Sequence, residues 1–236
     1  MCGRFSLAAD SARIAKRFGL KIQEDITIKP RYNFAPSEET PSIVFEAGEK
    51  RLQVMKWGIT RQWDKAKPPL FIINLKAEKL VAGPFKSLLT KRRCLVPADG
   101  FYEWKADVKP KQPFRFTLKD DSLFVFPAIY DEVSSYKLQA SSKNVPSNLS
   151  LGTSNFRTFC IFTTPANPLV APVHHRMPAI LPPDLEAAWL APDLTDVQKI
   201  VALLKPYPET AMKCWAVSPV LNSAKIDAPE LIRPLT

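Results

Sequence analysis

Apolar positions fall mostly into short runs, many with a period of two, broken by proline- and glycine-marked turns. Residues 10–20 differ: Ala12, Ile14, Ala15, Phe18 and Leu20 recur at helical spacing behind Asp10. That pattern predicts a short amphipathic helix capped by Asp10. Ser42 to Ala47 and Leu52 to Trp57 read as strands of a hairpin turning at Gly48. The segment 31–36, bracketed by Pro30 and Pro36, reads as a rigid loop, and residues 60–69 as an exposed basic loop. Phe71-Ile72-Ile73 reads as a buried strand that delivers Asn74 at its end.

Further on, Phe85 to Leu89 suits a helical turn, and Cys94 to Trp104 a strand, a turn at Asp99-Gly100 and a second strand. Phe114 to Leu118, Leu123 to Ile129, Arg157 to Thr164 and Cys214 to Val217 also read as strands. Asp184 to Leu190 and Asp196 to Leu204 read as helices, each opening on an acidic residue. Residues 134–155, rich in Ser and Asn, read as a long loop. No repeat and no linker divides the chain, so the expectation is a single α+β domain over 1–236, with a largely antiparallel sheet core and short helices.

Composition sharpens this. At 236 residues and 46% hydrophobic content the chain can bury a core without disulfides. Proline outnumbers glycine 23 to 7, which favours short strands and fixed turns. The formal charge of +10 suggests a polyanionic partner, although solubility alone would also account for it. Cys2, Cys94, Cys160 and Cys214 show no metal-ligand spacing, so neither a metal nor another cofactor is expected. The start of the chain lacks a secretory pattern and no apolar run reaches the ~18 residues of a membrane span. A reduced, non-secreted setting is expected, cytoplasmic in a bacterium (with the nucleoid) or nuclear in a eukaryote.

Several residues can carry chemistry. Loss of Met1 would place an α-amine and a thiol on Cys2. An α-amine has a pKa of ~8 against ~10.4 for lysine, so more of it is nucleophilic near neutral pH. An aldehyde would form an imine there, and the thiol could then close a five-membered thiazolidine in an intramolecular step. A cysteine that merely follows methionine is the plainer account. Glu103, among Phe101, Tyr102 and Trp104, is either a desolvated acid–base group or the solvent-facing member of an alternating strand. His174 is either catalytic or a core histidine, and Asn74 either a site hydrogen-bonder or a strand end. Trp57, Trp63 and Trp104 lie among basic residues, an arrangement that suits stacking on unpaired bases as well as core packing. The run Lys91-Arg92-Arg93 is a basic patch or a solvated helix end.

Together, Met1 to Phe5, Tyr32 to Pro36, Trp57-Gly58, Asn74 to Glu78, Pro97 to Trp104, Thr163 to Asn167, His174 to Pro178 and Val217-Ser218 resemble, in order, the SOS response-associated peptidase (SRAP) family of abasic-site processing proteins. The resemblance implies a largely antiparallel, barrel-like β core flanked by short helices, and a Cys2 thiazolidine with the ring-opened abasic sugar in single-stranded DNA. It also implies that Asn74 holds the linkage, Glu103 moves protons and His174 stabilises the sugar. It places Arg4, Asn33, Trp63, Lys76, Trp104, Thr163 and Arg176 near the DNA strand. Removal of Met1 would be a self-cleavage, and replication-fork proteins would be further partners of a monomer. Departures from the family stand out: Leu75-Lys76 replaces the usual Ala-Arg, losing the guanidinium fork, the Ser/Asn-rich stretch 134–155 looks like an insertion in a strand connection, and His175 takes a position usually held by another residue. Rival readings are a thiol peptidase built on Cys2 and a non-catalytic binder of single-stranded DNA.

Overall fold

The structure, a computed structural model, describes residues 2–21, 26–61, 68–81, 83–105, 109–133 and 156–235. Along the chain come β1 (Arg4–Leu7), α1 (Ser11–Phe18), β2 (Arg31–Phe34), β3 (Glu39–Glu46), β4 (Glu49–Trp57), β5 (Ile59–Arg61), β6 (Leu70–Ile72) and β7 (Asn74–Lys76). Then follow α2 (Lys86–Lys91), β8 (Arg93–Ala98), β9 (Gly100–Lys105), β10 (Gln112–Leu118), β11 (Phe124–Val133), β12 (Phe156–Pro165), β13 (Arg176–Pro178), α3 (Glu186–Leu190), α4 (Val197–Ala202) and β14 (Met212–Ala216).

The class is α+β, and its centre is a closed barrel of five strands. β11, β8, β3, β4 and β12 pair in that order, and β12 pairs back to β11. An odd ring cannot be antiparallel throughout, and the unavoidable parallel pair is β4–β12, with Thr158 beside Lys56 and Phe159 beside Trp57. Closure removes the exposed strand edges of an open sheet. A second, antiparallel sheet runs β14-β10-β9-β1-β2. Phe5 joins the two: its ring stacks on Phe34 at 4.9 Å and meets Trp57 at 5.3 Å and Phe126 at 5.5 Å edge-on.

The chain passes from barrel to sheet at Asp99, between β8 and β9. Its buried carboxylate accepts from Ser6 Oγ (2.6 Å) and the Ala8 N–H (2.6 Å), and pairs with Arg115 Nη2 of β10 (2.9 Å). Gly100 permits the close approach of Arg115: a Cβ there would sit 2.7 Å from Nε. One carboxylate thus pins β1, β10 and the start of β9, and sets the register Arg4↔Tyr102, Phe5↔Phe101, Ser6↔Gly100.

The local readings hold where local signals decide. Asp10 caps α1 through its side chain to the Arg13 N–H, and Gly19 closes it in the left-handed conformation. The β3–β4 hairpin turns at Ala47-Gly48, both at positive φ. Three readings change. Residues Arg31–Phe34 form β2, because the flanking prolines frame a strand at the sheet edge instead of breaking one. Phe71 is half exposed, so the Phe71-Ile72-Ile73 run is not a buried strand; it belongs to the small β5–β6 pair, with the ring laid over Gly58. The helix expected from Asp184 opens as a 3-10 turn, Pro183–Leu185, before α3. The loop proposed for 134–155, and most of the one proposed for 60–69, lie outside the described residues. Among the described residues no helix is long and apolar enough to cross a membrane.

The Asp99 corner is testable. Asp99→Ala leaves Arg115 buried without its counter-charge and strips the Ser6 hydroxyl and the Ala8 N–H of an acceptor. A loss of about 3 kcal/mol or more is expected in urea unfolding. A loss below about 1 kcal/mol would show that the corner does not carry the fold.

Candidate active site

β1 and β9 run antiparallel from the Asp99 corner. Four residues up the chain from Ser6 lies Cys2; four residues on from Asp99 lies Glu103. Both are buried, at 0% and 2% exposure. Glu103 faces the same side of β9 as Phe101, opposite Phe114 of β10, with apolar groups around it. Burial therefore lifts its carboxyl from the usual 4.5 to about 7. The Cys2 thiol is pushed well above its ordinary value, first by burial and then by the charge of Glu103. Its Sγ donates to the Arg4 carbonyl at 3.6 Å. The two groups feel each other electrostatically, and neither ionises readily while the other is charged.

Asn74 closes this corner from the barrel side. The Ile73 carbonyl just before it is anchored by the Trp57 indole (3.0 Å) and the Ile161 N–H (3.2 Å). β7 then pairs in parallel with β12, placing Asn74 beside Ile161. Asn74 Nδ2 donates to the Cys2 carbonyl at 2.6 Å. Its Oδ1 is buried with no hydrogen-bond partner among the described residues, so an acceptor stands ready beside the Cys2 backbone.

His174 arrives on the connection between β12 and β13. Its Nδ1 lies 3.9 Å from Glu103 Oε1. The same nitrogen sits 3.0 Å from both the Arg176 N–H and the Arg176 carbonyl. A bare Nδ1 accepts from the former, and a protonated one donates to the latter, so the ring keeps its place through a change of charge. Burial, opposed by the Arg176 carbonyl, holds its pKa below the usual 6.5. His175 is exposed and its ring lies 4.4 Å from that of His174.

The structure thus gathers Cys2, Asn74, Glu103 and His174 in one place. It divides the residues expected to face DNA. Lys76 is exposed at the end of β7 and Trp104 is half-buried, with its indole N–H on Asn222. Arg4 is partly buried; its guanidinium donates to Asn33 Oδ1 (2.9 Å) and the Leu221 carbonyl (3.1 Å), and burial lowers its pKa. Asn33 is fully buried, with Nδ2 donating to the Ser223 and Ile226 carbonyls, so it fastens the C-terminal segment instead of reaching outward. Thr163 and Arg176 are also buried. Trp63 lies outside the described residues.

The basic run needs correction. Arg93 is buried, its guanidinium donating to the carbonyls of Trp189, Leu89 and Ala191, and Arg92 pairs with Asp131 and Glu132. Of the three, Lys91 alone is exposed. Sequence reading took Glu78 only as the end of the Asn74 to Glu78 block and gave it no role. Its carboxylate holds Arg176 by two hydrogen bonds of 2.6 and 3.0 Å. Its spacing, four residues after Asn74, was the available signal.

Known proteins resemble this chain over its whole length. The abasic site processing protein YoqW of Bacillus subtilis is 36% identical, over 98% of this chain and 99% of its own. Abasic site processing protein YedK of Escherichia coli is 26% identical over the full length of both. Its counterpart HMCES of Gallus gallus is 27% identical over 100% of this chain and 78% of the relative. A crystal structure of a Bacteroides thetaiotaomicron protein superposes with a TM-score of 0.78 at 25% identity, covering all of both chains. The family described as SOS response associated peptidase (SRAP) matches residues 1–224, and the chain belongs to it.

Proposed function

We propose that this chain bonds covalently, through Cys2 freed of Met1, to ring-opened abasic sites in single-stranded DNA. The relatives, all abasic site processing proteins by name, support the abasic site as substrate. The observation that carries the chemistry is the convergence of Asn74 and Glu103 on a buried Cys2. The α-amine attacks the sugar aldehyde, water leaves, and an imine forms. The thiol then adds to the imine carbon; its proton passes to the nitrogen, completing the thiazolidine. Glu103, with a carboxyl near neutrality, suits both the proton that leaves with water and the one that leaves sulfur. His174 suits proton exchange with the sugar hydroxyls, and Asn74 the orientation of the Cys2 backbone. Lys76, Trp104 and Arg4 are the residues best placed to meet the strand, by charge and by stacking.

The rival peptidase reading draws support from the family's name. Amide hydrolysis by cysteine needs a thiolate, and catalytic cysteines sit where their pKa is lowered. Here burial and the Glu103 charge push it up. Aldehyde capture begins instead at the amine, and that favours crosslinking over peptide hydrolysis.

Denaturing gels with an abasic single-stranded oligonucleotide test the reading. Protein that begins at Cys2 should give a heat-stable adduct, and protein blocked at its N-terminus should give none. Cys2→Ala keeps the amine and should yield only an imine, trapped by borohydride. An efficient, heat-stable adduct from a blocked protein or from untreated Cys2→Ala would contradict the mechanism.

Glu103 generates a prediction in pH. The adduct-forming rate should rise as the carboxyl ionises at about 7. Glu103→Gln should lack that rise, retaining only the one from the amine at ~8. The same burial has a stability cost. Between pH 4.5 and about 7 the folded protein keeps a proton that the unfolded chain has lost. Stability therefore falls as pH rises through that window. At pH ~8 Glu103→Gln should be more stable than the parent, by up to about 3 kcal/mol, with little difference at pH ~4. Equal urea midpoints at both pH values would show that Glu103 is not held as a strained carboxyl.

A further inference from the structure

The Arg176 guanidinium is buried, and four hydrogen bonds surround it. Two come from Glu78, on the 3-10 turn Ala77–Lys79 that follows β7. The other two acceptors, the Thr163 carbonyl at 2.6 Å and Oγ1 at 3.2 Å, belong to β12. The Arg176 backbone supplies two groups that hold His174 Nδ1. Asn74 lies four residues before Glu78, on the strand that leads directly into its turn.

Resting on the proposed function, we propose that Glu78 is a positioning residue: through Arg176 it fixes the His174 ring relative to the Asn74–Cys2 side of the site. A planar guanidinium gripped by both carboxylate oxygens has one orientation, unlike a lysine in the same place. The backbone of Arg176 is therefore held from its own side chain, and His174 is held from that backbone. The hydrogen bonds from Arg176 keep the Glu78 carboxyl below its ordinary range, so Glu78 stays ionised at neutral and mildly acid pH. Glu78 is itself half exposed, with 49% of its side chain open against 7% for Arg176. It can be altered without opening the core. In this arrangement Arg176 spends its charge on the protein, and the exposed Lys76 is the cation of β7 left to a phosphate.

Glu78→Gln keeps the shape and puts an amide N–H₂ against the guanidinium. Glu78→Asp keeps the charge on a shorter arm. Both are compared with the parent protein, each beginning at Cys2 and each checked by thermal melting. Adduct formation is timed at saturating abasic oligonucleotide. Affinity is measured separately with the same strand carrying a tetrahydrofuran site, which has no aldehyde. Glu78→Gln should slow the saturated rate by about tenfold, because small misplacements of a catalytic group are costly. Its affinity should stay within about twofold. Glu78→Asp should restore part of the rate. A saturated rate equal to the parent's overturns the inference. Tighter binding with an undiminished rate also overturns it, since Glu78 would then be only a charge barrier to DNA.

Imidazole NMR gives a readout that needs no reaction. The chain has two histidines, and a His175→Ala variant assigns them. In Glu78→Gln the His174 resonances should shift or broaden, while those of His175 change less. An unchanged His174 spectrum overturns the inference even if the parent protein forms no adduct. Failure of the parent to form one overturns the proposed function instead.

Discussion

The site depends on the buried Asp99 carboxylate. It stands where the chain leaves the barrel, and its oxygens hold Ser6, Ala8 and Arg115 together. From that point β1 and β9 run side by side, and side chains alternate between two faces. A slip of one residue would turn Glu103 to the opposite face of β9, away from the side it shares with Phe5 and Phe101. The corner therefore fixes the face of β9 on which Glu103 lies, while Cys2, just before β1 begins, is held at its carbonyl by Asn74.

Around that relation the structure accepts unfavourable electrostatics. Glu103 is a carboxylic acid in an apolar setting, and Cys2 a thiol that resists ionisation. Each would be easier to keep in water. The barrel makes this tolerable by closing on itself and supplying a rigid wall, from which Trp57 and Ile161 fix the Ile73 carbonyl and hence Asn74. The cost of burying a polar site is offset by cooperative packing elsewhere, as expected where function and stability pull apart.

Much of this was legible in the sequence wherever the signal was local. The Asp10 cap, the Ala47-Gly48 turn and the succession of β8, a turn and β9 each rest on a few neighbouring residues. Cys2 and Glu103 stood out because their chemistry is conspicuous in their surroundings. The family resemblance supplied what periodicity could not, namely that Cys2, Asn74, Glu103 and His174 belong together. Long-range facts stayed hidden. Nothing near Thr158 shows that β12 runs parallel to β4, nor does the Lys91-Arg92-Arg93 run show that Arg93 turns inward to cap helix carbonyls. Asn33 reads as a polar loop residue until the Ser223 and Ile226 carbonyls are found against it. A charge pattern gives the sign of a surface and not which cations remain on it.

The central claim is that Cys2, through its own amine and thiol, condenses with the aldehyde of an abasic site. Intact mass tests it most directly. Protein beginning at Cys2 is mixed with an abasic single-stranded oligonucleotide, without reductant, and weighed under denaturing conditions. The account predicts a species equal to protein plus strand less one water, surviving heat, with peptide mapping placing the strand on Cys2. A non-covalent complex that falls apart on denaturation, or an adduct mapped to a lysine, would contradict it.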